Sequence, residues 1–319
     1  GLCSAPNATA GTIRHDRPDS SYTGLATSYP AVGSLTWSTY ICSATLIDDD
    51  WILTAGHCLD EVGLSANDWT FDLSDSGGGV HVGAERFLNP GWMGDLKDGT
   101  DIALLKLATR ESTVAPATIN SNTSEVGRTA THVGYGLTGT GLTGAITPAG
   151  TKRAGNNVVD VDGSVVSGYS DDILFEDFDS GSAGDNWSGS ATQQDLEYLI
   201  AGGDSGGALF MGFGSGPVVA GVHSFIASVD GNLDADYGDL AGSTRVSSYA
   251  SWISSTMTNN DPVAPELSSA VMWVVCCLGL IWSSLTRVPS QREGRFHAVR
   301  RMIAGLSLRN LRVGRTGRS

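Results

Sequence analysis

The chain has 319 residues, of which 40% are hydrophobic and 17% are charged, so it is long enough to bury a substantial core. Its formal net charge is −15, but residues 287–319 carry nine arginines and one glutamate, which leaves 10 basic against 33 acidic residues before them. An acidic body of this kind argues against nucleic-acid binding, which requires a basic face to neutralise phosphates.

The first twelve residues are small and polar, and we interpret residues 1–12 as a leader. The chain starts at Gly1 rather than Met, so a secretory signal is already removed or was never part of the sequence. Up to about residue 245, short apolar runs alternate with clusters of Gly, Asn, Asp and Ser, which predicts strands joined by turns. The predicted strands are Leu35–Thr39, Cys42–Ile47, Trp51–Thr54, Val80–Val82, Ile102–Leu107, Ala130–Val133, Val158–Val161, Ala208–Phe210 and Val218–Phe225. This spacing favours an all-β fold built from a pair of antiparallel barrels.

A single amphipathic helix is predicted at the end of the globular body, over residues 246–257. Val246, Tyr249, Trp252 and Ile253 recur at helical spacing and form one apolar stripe, while serines and threonines face water.

A short Pro-containing linker, residues 259–266, follows that helix. Residues 267–286 then run for 20 positions without a charge, which matches the thickness of a bilayer and predicts a membrane helix. The Arg-rich tail, residues 287–319, would lie in the cytoplasm and the body outside. A buried core helix or a removable sorting peptide remains the alternative, because Ala264-Pro265-Glu266-Leu267 and the arginines resemble the Pro-Glu-Pro sorting signals of bacterial surface proteins, without the second proline.

Two of the five cysteines, Cys42 and Cys58, lie in the globular body and flank a strand-turn segment. A disulfide between them implies an oxidising compartment, so we expect the body to be extracytoplasmic, either secreted or membrane-anchored. Two reduced thiols remain the alternative.

Three short motifs carry the chemistry: Thr54-Ala55-Gly56-His57-Cys58, Asp101-Ile102-Ala103-Leu104-Leu105 and Gly203-Asp204-Ser205-Gly206-Gly207. Taken singly, His57 could be a buried histidine, Asp101 a strand cap and Ser205 part of an ordinary turn. Together they offer a nucleophile, a base that takes its proton and a carboxylate that orients the base. The amides of Gly203 and Ser205 could converge on an oxyanion, since the flanking glycines permit a sharp turn.

These motifs resemble those of trypsin/chymotrypsin-type serine proteases, and the resemblance extends over residues 13–258. It implies two Greek-key β-barrels, at about 13–115 and 116–245, and a terminal helix of the type found here. It also implies a serine endopeptidase without a cofactor, acting on protein or peptide substrates. Ser224 matches the family position whose hydroxyl supports the catalytic aspartate, with a plain strand serine as the alternative. We expect a monomer.

The same resemblance implies an activation step and a specificity pocket. In the family, a new amino terminus pairs with the aspartate before the serine, here Asp204, and the spacing to Cys42 places that terminus at Ile13. The base of the primary pocket is Leu199 rather than an acid, and Ile226 after Phe225 narrows its wall. We therefore predict a preference for small or medium apolar side chains.

Two acidic segments, Asp177-Phe178-Asp179-Ser180-Gly181 with Asp185 and Asp230-Gly231-Asn232 with Asp234 and Asp236, raise the question of calcium. Neither completes an EF-hand pattern, so we interpret both as solvated surface loops and predict no metal site. The order His, Asp, Ser excludes an α/β-hydrolase esterase, in which the serine comes first. A catalytically silent binding module at the cell surface remains the alternative function.

Overall fold

The computed structural model describes residues 11–261, and this part of the chain forms an all-β, two-barrel fold that ends in a helix. The strands are β1 (Thr12–Ile13), β2 (Val32–Trp37), β3 (Tyr40–Asp48), β4 (Trp51–Thr54), β5 (Thr70–Asp72), β6 (Val80–Leu88), β7 (Ala103–Leu107), β8 (Thr129–Gly134), β9 (Thr138–Thr140), β10 (Gly144–Thr147), β11 (Arg153–Val158), β12 (Val161–Asp162), β13 (Ile173–Asp177), β14 (Tyr198–Leu199), β15 (Ala208–Gly212), β16 (Pro217–Ala227) and β17 (Leu240–Arg245). The helices are α1 (Asp19–Ala26), α2 (Gly56–Leu59) and α3 (Ala250–Asn260).

The first barrel closes in the strand order β2-β3-β4-β7-β6-β5, with neighbouring strands antiparallel. Its interior is filled by large side chains from every part of the ring, among them Leu35, Leu53, Trp69, Phe71 and Leu104, all fully buried. Closure pairs every strand on both edges and leaves no open sheet edge in this half.

The second half is a seven-stranded antiparallel sheet in the order β11-β8-β15-β16-β17-β13-β12. A smaller four-stranded sheet, β10-β9-β1-β14, lies beside it. Within that sheet β1 runs parallel to β9 and antiparallel to β14, so the first described residues are integrated into the second half.

Most predicted strands are confirmed, with ends that move by a few residues, and β4 is found at the predicted positions. The prediction of one strand over Val158–Val161 is wrong, because β11 ends at Val158 and β12 begins at Val161. The chain turns between them, where the amide of Asp160 donates to the Phe175 carbonyl at 2.9 Å. Strands β13 and β17 were not predicted, because both are buried along their whole length and show no alternation of polar and apolar residues.

The terminal helix is confirmed, although it begins with a 3₁₀ turn over Val246–Tyr249 before α3. Ile253 is its fully buried anchor. The helix continues through Asn260, so the predicted linker cannot begin at residue 259.

Several predicted segments fall wholly or partly outside the described residues. These are the leader up to residue 10, most of the linker, the apolar segment 267–286 and the tail 287–319. The predicted leader is too long by one residue at least, since Thr12 already belongs to β1. Between residues 11 and 261, no helix combines the length and the apolar character needed to cross a membrane.

Candidate active site

His57 lies on α2, a single helical turn that follows directly on β4. Ala55 is extended at the N-cap, so the chain changes direction between β4 and α2 and places His57 just beyond the end of β4. The disulfide between Cys42 and Cys58 is formed, as the sequence predicted, and ties this turn to β3. The His57 side chain keeps 32% of its surface exposed, which leaves it accessible to a substrate.

Asp101 is fully buried two residues before β7, and both of its carboxylate oxygens are engaged. Oδ2 lies 2.7 Å from Nδ1 of His57, and Oδ1 accepts the His57 amide at 2.9 Å. Ser224 donates its hydroxyl to Oδ2 at 2.5 Å, and Thr244 donates to the Asp101 carbonyl at 2.9 Å. The carboxylate therefore fixes both the orientation of the imidazole and the proton on Nδ1.

The pKa of His57 is raised above its ordinary value. Burial acts to lower this pKa, but the charge of Asp101 and the hydrogen bond to its carboxylate together outweigh burial. A neutral His57 therefore has an unprotonated Nε2 with a strong affinity for a proton, as a general base requires.

Ser205 lies in a tight loop whose shape depends on two glycines with left-handed backbone, Gly203 (φ +91°) and Gly206 (φ +79°). A Cβ at Gly206 would overlap Thr54 Oγ1 and the Ser43 carbonyl oxygen, so only glycine fits there. The Ser205 carbonyl accepts the Ser43 amide at 2.8 Å. These contacts hold the serine loop of the second half against the end of β4, next to the turn that carries His57.

The amides predicted to bind an oxyanion are available in this loop. Within residues 11–261, the backbone N–H groups of Gly203 and Ser205 donate no hydrogen bond to another residue. The fully buried Ser43 holds the loop from the protein interior, because its Oγ donates to the Gly203 carbonyl at 3.1 Å.

Asp204 points away from Ser205 and into the protein, where it is fully buried. Its carboxylate accepts the amides of Gly11 at 2.6 Å, Gly136 at 2.8 Å and Ala201 at 2.9 Å. Burial nevertheless raises the pKa of Asp204 to about 6, against the effect of these bonds. In the uncleaved chain the Asp204 carboxylate is reached by the Gly11 amide, so the role predicted for Ile13 after cleavage stays a prediction. Ile13 lies further on, paired with Tyr198 and Thr140 in β1, because a count of residues from Cys42 does not fix the register of that strand.

Of the predicted pocket residues, Leu199 and Ile226 share one apolar cluster, whereas Phe225 packs against other aromatic rings. Leu199 is fully buried in an apolar cluster with Ile200, Ala201 and the partly buried Ile226. Phe225 packs at 5.9 Å from the ring of Phe175. Ser224 has its hydroxyl committed to Asp101, so it acts on the His57–Asp101 pair.

A cavity of about 260 Å³ adjoins His57 on the side of Ser224 and was not predicted from the sequence. Its other walls are Asp60, Trp92, Gly94 and Leu96. The Trp92 indole donates to Asp60 Oδ2 at 2.9 Å, which fixes the ring at the cavity. In the sequence, Trp92 between β6 and Asp101 was the only hint of this cavity that the wall residues offered.

Of the two acidic segments predicted to be solvated, the first does not fit that description. Asp177 is 0% and Asp179 is 4% exposed, because the segment folds inward against β14. Asp230 in the second segment is exposed, as predicted.

A family model described as Trypsin matches residues 21–253. Chymotrypsin-like elastase family member 1 of Felis catus is 28% identical over 251 residues, covering 69% of this chain and 80% of that protein. Ovochymase of Halocynthia roretzi is 31% identical over 97 residues, and this match spans 6% of its length. The fold is similar to that of neuropsin, a serine protease of mouse brain (TM-score 0.54, 18% identity, 77% of this chain and 98% of that one). It is also similar to HL collagenase (TM-score 0.54, 21% identity, 74% and 96%).

Proposed function

Because this chain belongs to the trypsin family of serine endopeptidases, we propose that it hydrolyses peptide bonds through a triad of His57, Asp101 and Ser205. The observation that carries the proposal is the His57–Asp101 pair, with Nδ1 2.7 Å from a buried carboxylate. Ser205 attacks the substrate carbonyl while His57 takes its proton, and the amides of Gly203 and Ser205 stabilise the oxyanion. His57 then protonates the leaving amine, and water releases the acyl group by the same route.

The experiment compares the purified protein with its Ser205→Ala variant. We expect a fluorophosphonate probe to label the native protein and not the variant, and peptide hydrolysis to fall by at least three orders of magnitude. An unlabelled native protein without peptidase activity would instead identify a catalytically silent binding module.

The substrate preference that we propose is for small or medium apolar side chains at the residue whose carbonyl is attacked. Leu199 at the pocket base and Ile226 at its wall support it, since neither offers a charge to lysine or arginine. The 260 Å³ cavity beside Trp92 and Leu96 would take a second apolar side chain of the substrate. Cleavage-site profiling on a peptide library tests both, and dominant cleavage after arginine would contradict the first.

We further propose that the protease domain works outside the cytoplasm, because the Cys42–Cys58 disulfide beside His57 requires an oxidising compartment. A bacterial type of carboxy-terminal anchor or sorting signal, at residues 264–319, is proposed from the sequence alone. Fractionation of cells expressing the full chain, with and without residues 262–319, tests this part separately from catalysis.

A further inference from the structure

Three titratable side chains form a buried line next to the serine loop, and the proposed reaction does not use them. They are His132 on β8, Glu176 on β13 and His223 on β16, and each is 0% exposed. His132 Nδ1 lies 3.2 Å from His223 Nε2, and the two rings are stacked. His132 Nε2 lies 3.3 Å from Glu176 Oε2. Burying three polar groups is costly unless contacts among them compensate for the lost water.

His223 joins this line to the serine loop through its backbone. Its amide donates to the Gly207 carbonyl at 2.9 Å, and its carbonyl accepts the Gly206 amide at 2.8 Å. The next residue is Ser224, whose hydroxyl donates to Asp101. A movement of His223 therefore changes the serine loop and the contact to Asp101 together.

The side chain of His223 faces the serine loop as well. A Cβ built on Gly207 would lie 2.8 Å from His223 Nδ1 and 2.8 Å from the Asp204 carbonyl oxygen, so these two atoms flank the same point. Within residues 11–261, His223 Nδ1 is buried and has no hydrogen-bond partner. The Asp204 carbonyl accepts the Gly207 amide at 2.7 Å, which leaves it one further lone pair. Beside a carbonyl oxygen, Nδ1 is favourable only when it carries a proton.

The other proton positions along the line follow from this one. If His223 is protonated on Nδ1, its Nε2 is an acceptor, so His132 donates from Nδ1 and presents a bare Nε2 to Glu176. Glu176 must then be a neutral acid. Burial and the charges of neighbouring carboxylates raise the pKa of Glu176 well above its ordinary value. Burial lowers the pKa of His132, and it lowers that of His223 to about 3, so both rings are neutral as well.

We propose that His223 and His132, with Glu176 behind them, are positioning residues that orient the Asp204–Ser205 peptide for oxyanion binding. The C=O and N–H of a trans peptide point in opposite directions. A donor on the Asp204 carbonyl from the interior therefore turns the Ser205 amide towards the substrate. This inference rests on the proposed function, because the Ser205 amide is one of the two donors proposed for the oxyanion.

The first test is the kinetics of His132→Leu, which removes the partner that fixes the proton on His223. Loss of a whole oxyanion donor lowers kcat by about 10²–10³. For a misoriented donor we expect kcat to fall about ten- to a hundredfold, with KM within about twofold. The inhibition constant of a peptide aldehyde, whose adduct carries the oxyanion, should rise by the same factor as kcat falls. The pH midpoint of kcat/KM should stay in place, because His57 and Asp101 are untouched. A native kcat in this variant would overturn the proposal.

The matched control is Met211→Ala, which leaves a cavity in an apolar cluster of the same half. Met211 is 2% exposed and belongs to β15, the strand that pairs with β8. This variant should lower Tm while leaving kcat and the aldehyde inhibition constant within about twofold. If Met211→Ala and His132→Leu lose kcat equally, packing rather than hydrogen bonding orients the loop, and the proposal is wrong.

A second pair of variants tests the neutral state of Glu176. Glu176→Gln keeps an uncharged donor for His132 Nε2, so kcat should remain within about twofold of the native value. Glu176→Leu removes the donor and should lower kcat about tenfold. An equally large loss in both variants would show that an ionised carboxylate is needed, which contradicts the proposed proton positions.

The last test does not depend on activity. In Ser205→Ala with ¹⁵N-labelled histidines, nuclear magnetic resonance should show His132 and His223 as neutral Nδ1–H tautomers from pH 5 to pH 9, while His57 titrates. An Nε2–H tautomer at His223 would overturn the proposal whether or not the native protein cleaves peptides. Conversely, an active native protein with that tautomer would keep the proposed function, so the two proposals fail independently.

Discussion

The carboxylate of Asp101 sets the proton affinity of His57, and this single contact decides the pH at which the site works. The pKa of His57 lies above the ordinary value of about 6.5. Because the base must be neutral, we expect kcat/KM to rise with pH through a midpoint above about 6.5. Asp101→Asn should lower kcat by about four orders of magnitude and move that midpoint down. A pH profile of kcat/KM for both proteins measures this.

The His57–Asp101 pair also affects the stability of the fold, but this effect falls as pH rises, whereas activity increases. A histidine whose pKa is higher in the folded than in the unfolded state stabilises the fold below the unfolded pKa, and this contribution is lost as pH rises through the folded pKa. Urea unfolding of Ser205→Ala at pH 5.5 and pH 9, with and without Asp101→Asn, should show that contribution at the lower pH only. An equal difference at both pH values would contradict the assignment.

Ser224 is the residue whose role the contacts define more closely than the sequence could. Its hydroxyl donates to Asp101 Oδ2 at 2.5 Å, a bond to a buried charge worth about 1.5–3 kcal/mol. We expect Ser224→Ala to lower kcat/KM about tenfold and to raise the pKa of His57 further, because the carboxylate loses a competing donor. Thr244→Val is the control: it removes a bond to the Asp101 carbonyl, so it should lower Tm without moving the pH midpoint. Unchanged kinetics in Ser224→Ala would leave it a plain strand serine.

The prediction of the candidate triad rests on residue types and local motifs, because each member lies in a short segment whose glycines or small residues are visible in the sequence. The residues around it could not be predicted in the same way. Trp92, Thr244 and Gly11 meet the site through contacts between distant segments, and no local pattern distinguishes them from ordinary core or loop residues.

At the scale of elements, the serine loop depends on its contact with β4. Gly206 has φ +79°, and a Cβ there would overlap backbone and side-chain atoms of Ser43 and Thr54. We expect Gly206→Ala to lower kcat/KM at least a hundredfold, since the loop must move away from His57 to accommodate it. Gly212→Ala at the end of β15 is the control, because no atom lies within 4 Å of its added Cβ. Equal activity of the two variants would show that the loop tolerates the shift.

The strands that were predicted from the sequence and those that were missed differ in their flanking residues and in their burial. Strand β4 is short, apolar and bounded by turn residues, so its position could be predicted. Strand β13 carries Glu176 and Asp177 among apolar neighbours, yet all five of its residues are buried. Asp177 accepts the amides of Trp187 and Ser188, and Glu176 Oε2 lies 3.3 Å from His132 Nε2. Local hydrophobicity does not reveal such contacts, and this is also why the acidic segment after β13 was misjudged as solvated.

At the scale of the whole molecule, composition and motif order predicted two β units with the site between them. Strand register and the path of the first residues required the structure, because they depend on pairing between segments far apart in the chain. The parallel pairing of β1 with β9 is one such case.

The first described residues also reach the loop that carries Ser205, through the contact between Gly11 and Asp204. The Gly11 amide lies 2.6 Å from Asp204 Oδ2, so cleavage between Ala10 and Gly11 would put an α-ammonium group at a buried carboxylate. The ammonium should lower the pKa of Asp204 below about 6 and remove the cost of burying its charge. In a chain with residues 1–10 attached, the pKa of Asp204 is higher in the folded than in the unfolded state. Its ionisation therefore destabilises the folded protein increasingly as pH rises towards 6, and this loss of stability persists above pH 6.

We therefore expect a protein that begins at Gly11 to have at least tenfold higher kcat/KM at pH 8, and a higher Tm, than one that begins at Gly1. A protein that begins at Ile13 should resemble the less active form, because it lacks the donor to Asp204. Asp204→Asn should abolish the difference between the first two. Kinetics on the three purified forms, with their amino termini verified by mass spectrometry, measure this directly. Equal activity at Gly1 and Gly11 would mean that the Gly11 amide, together with those of Gly136 and Ala201, suffices to order the serine loop without cleavage.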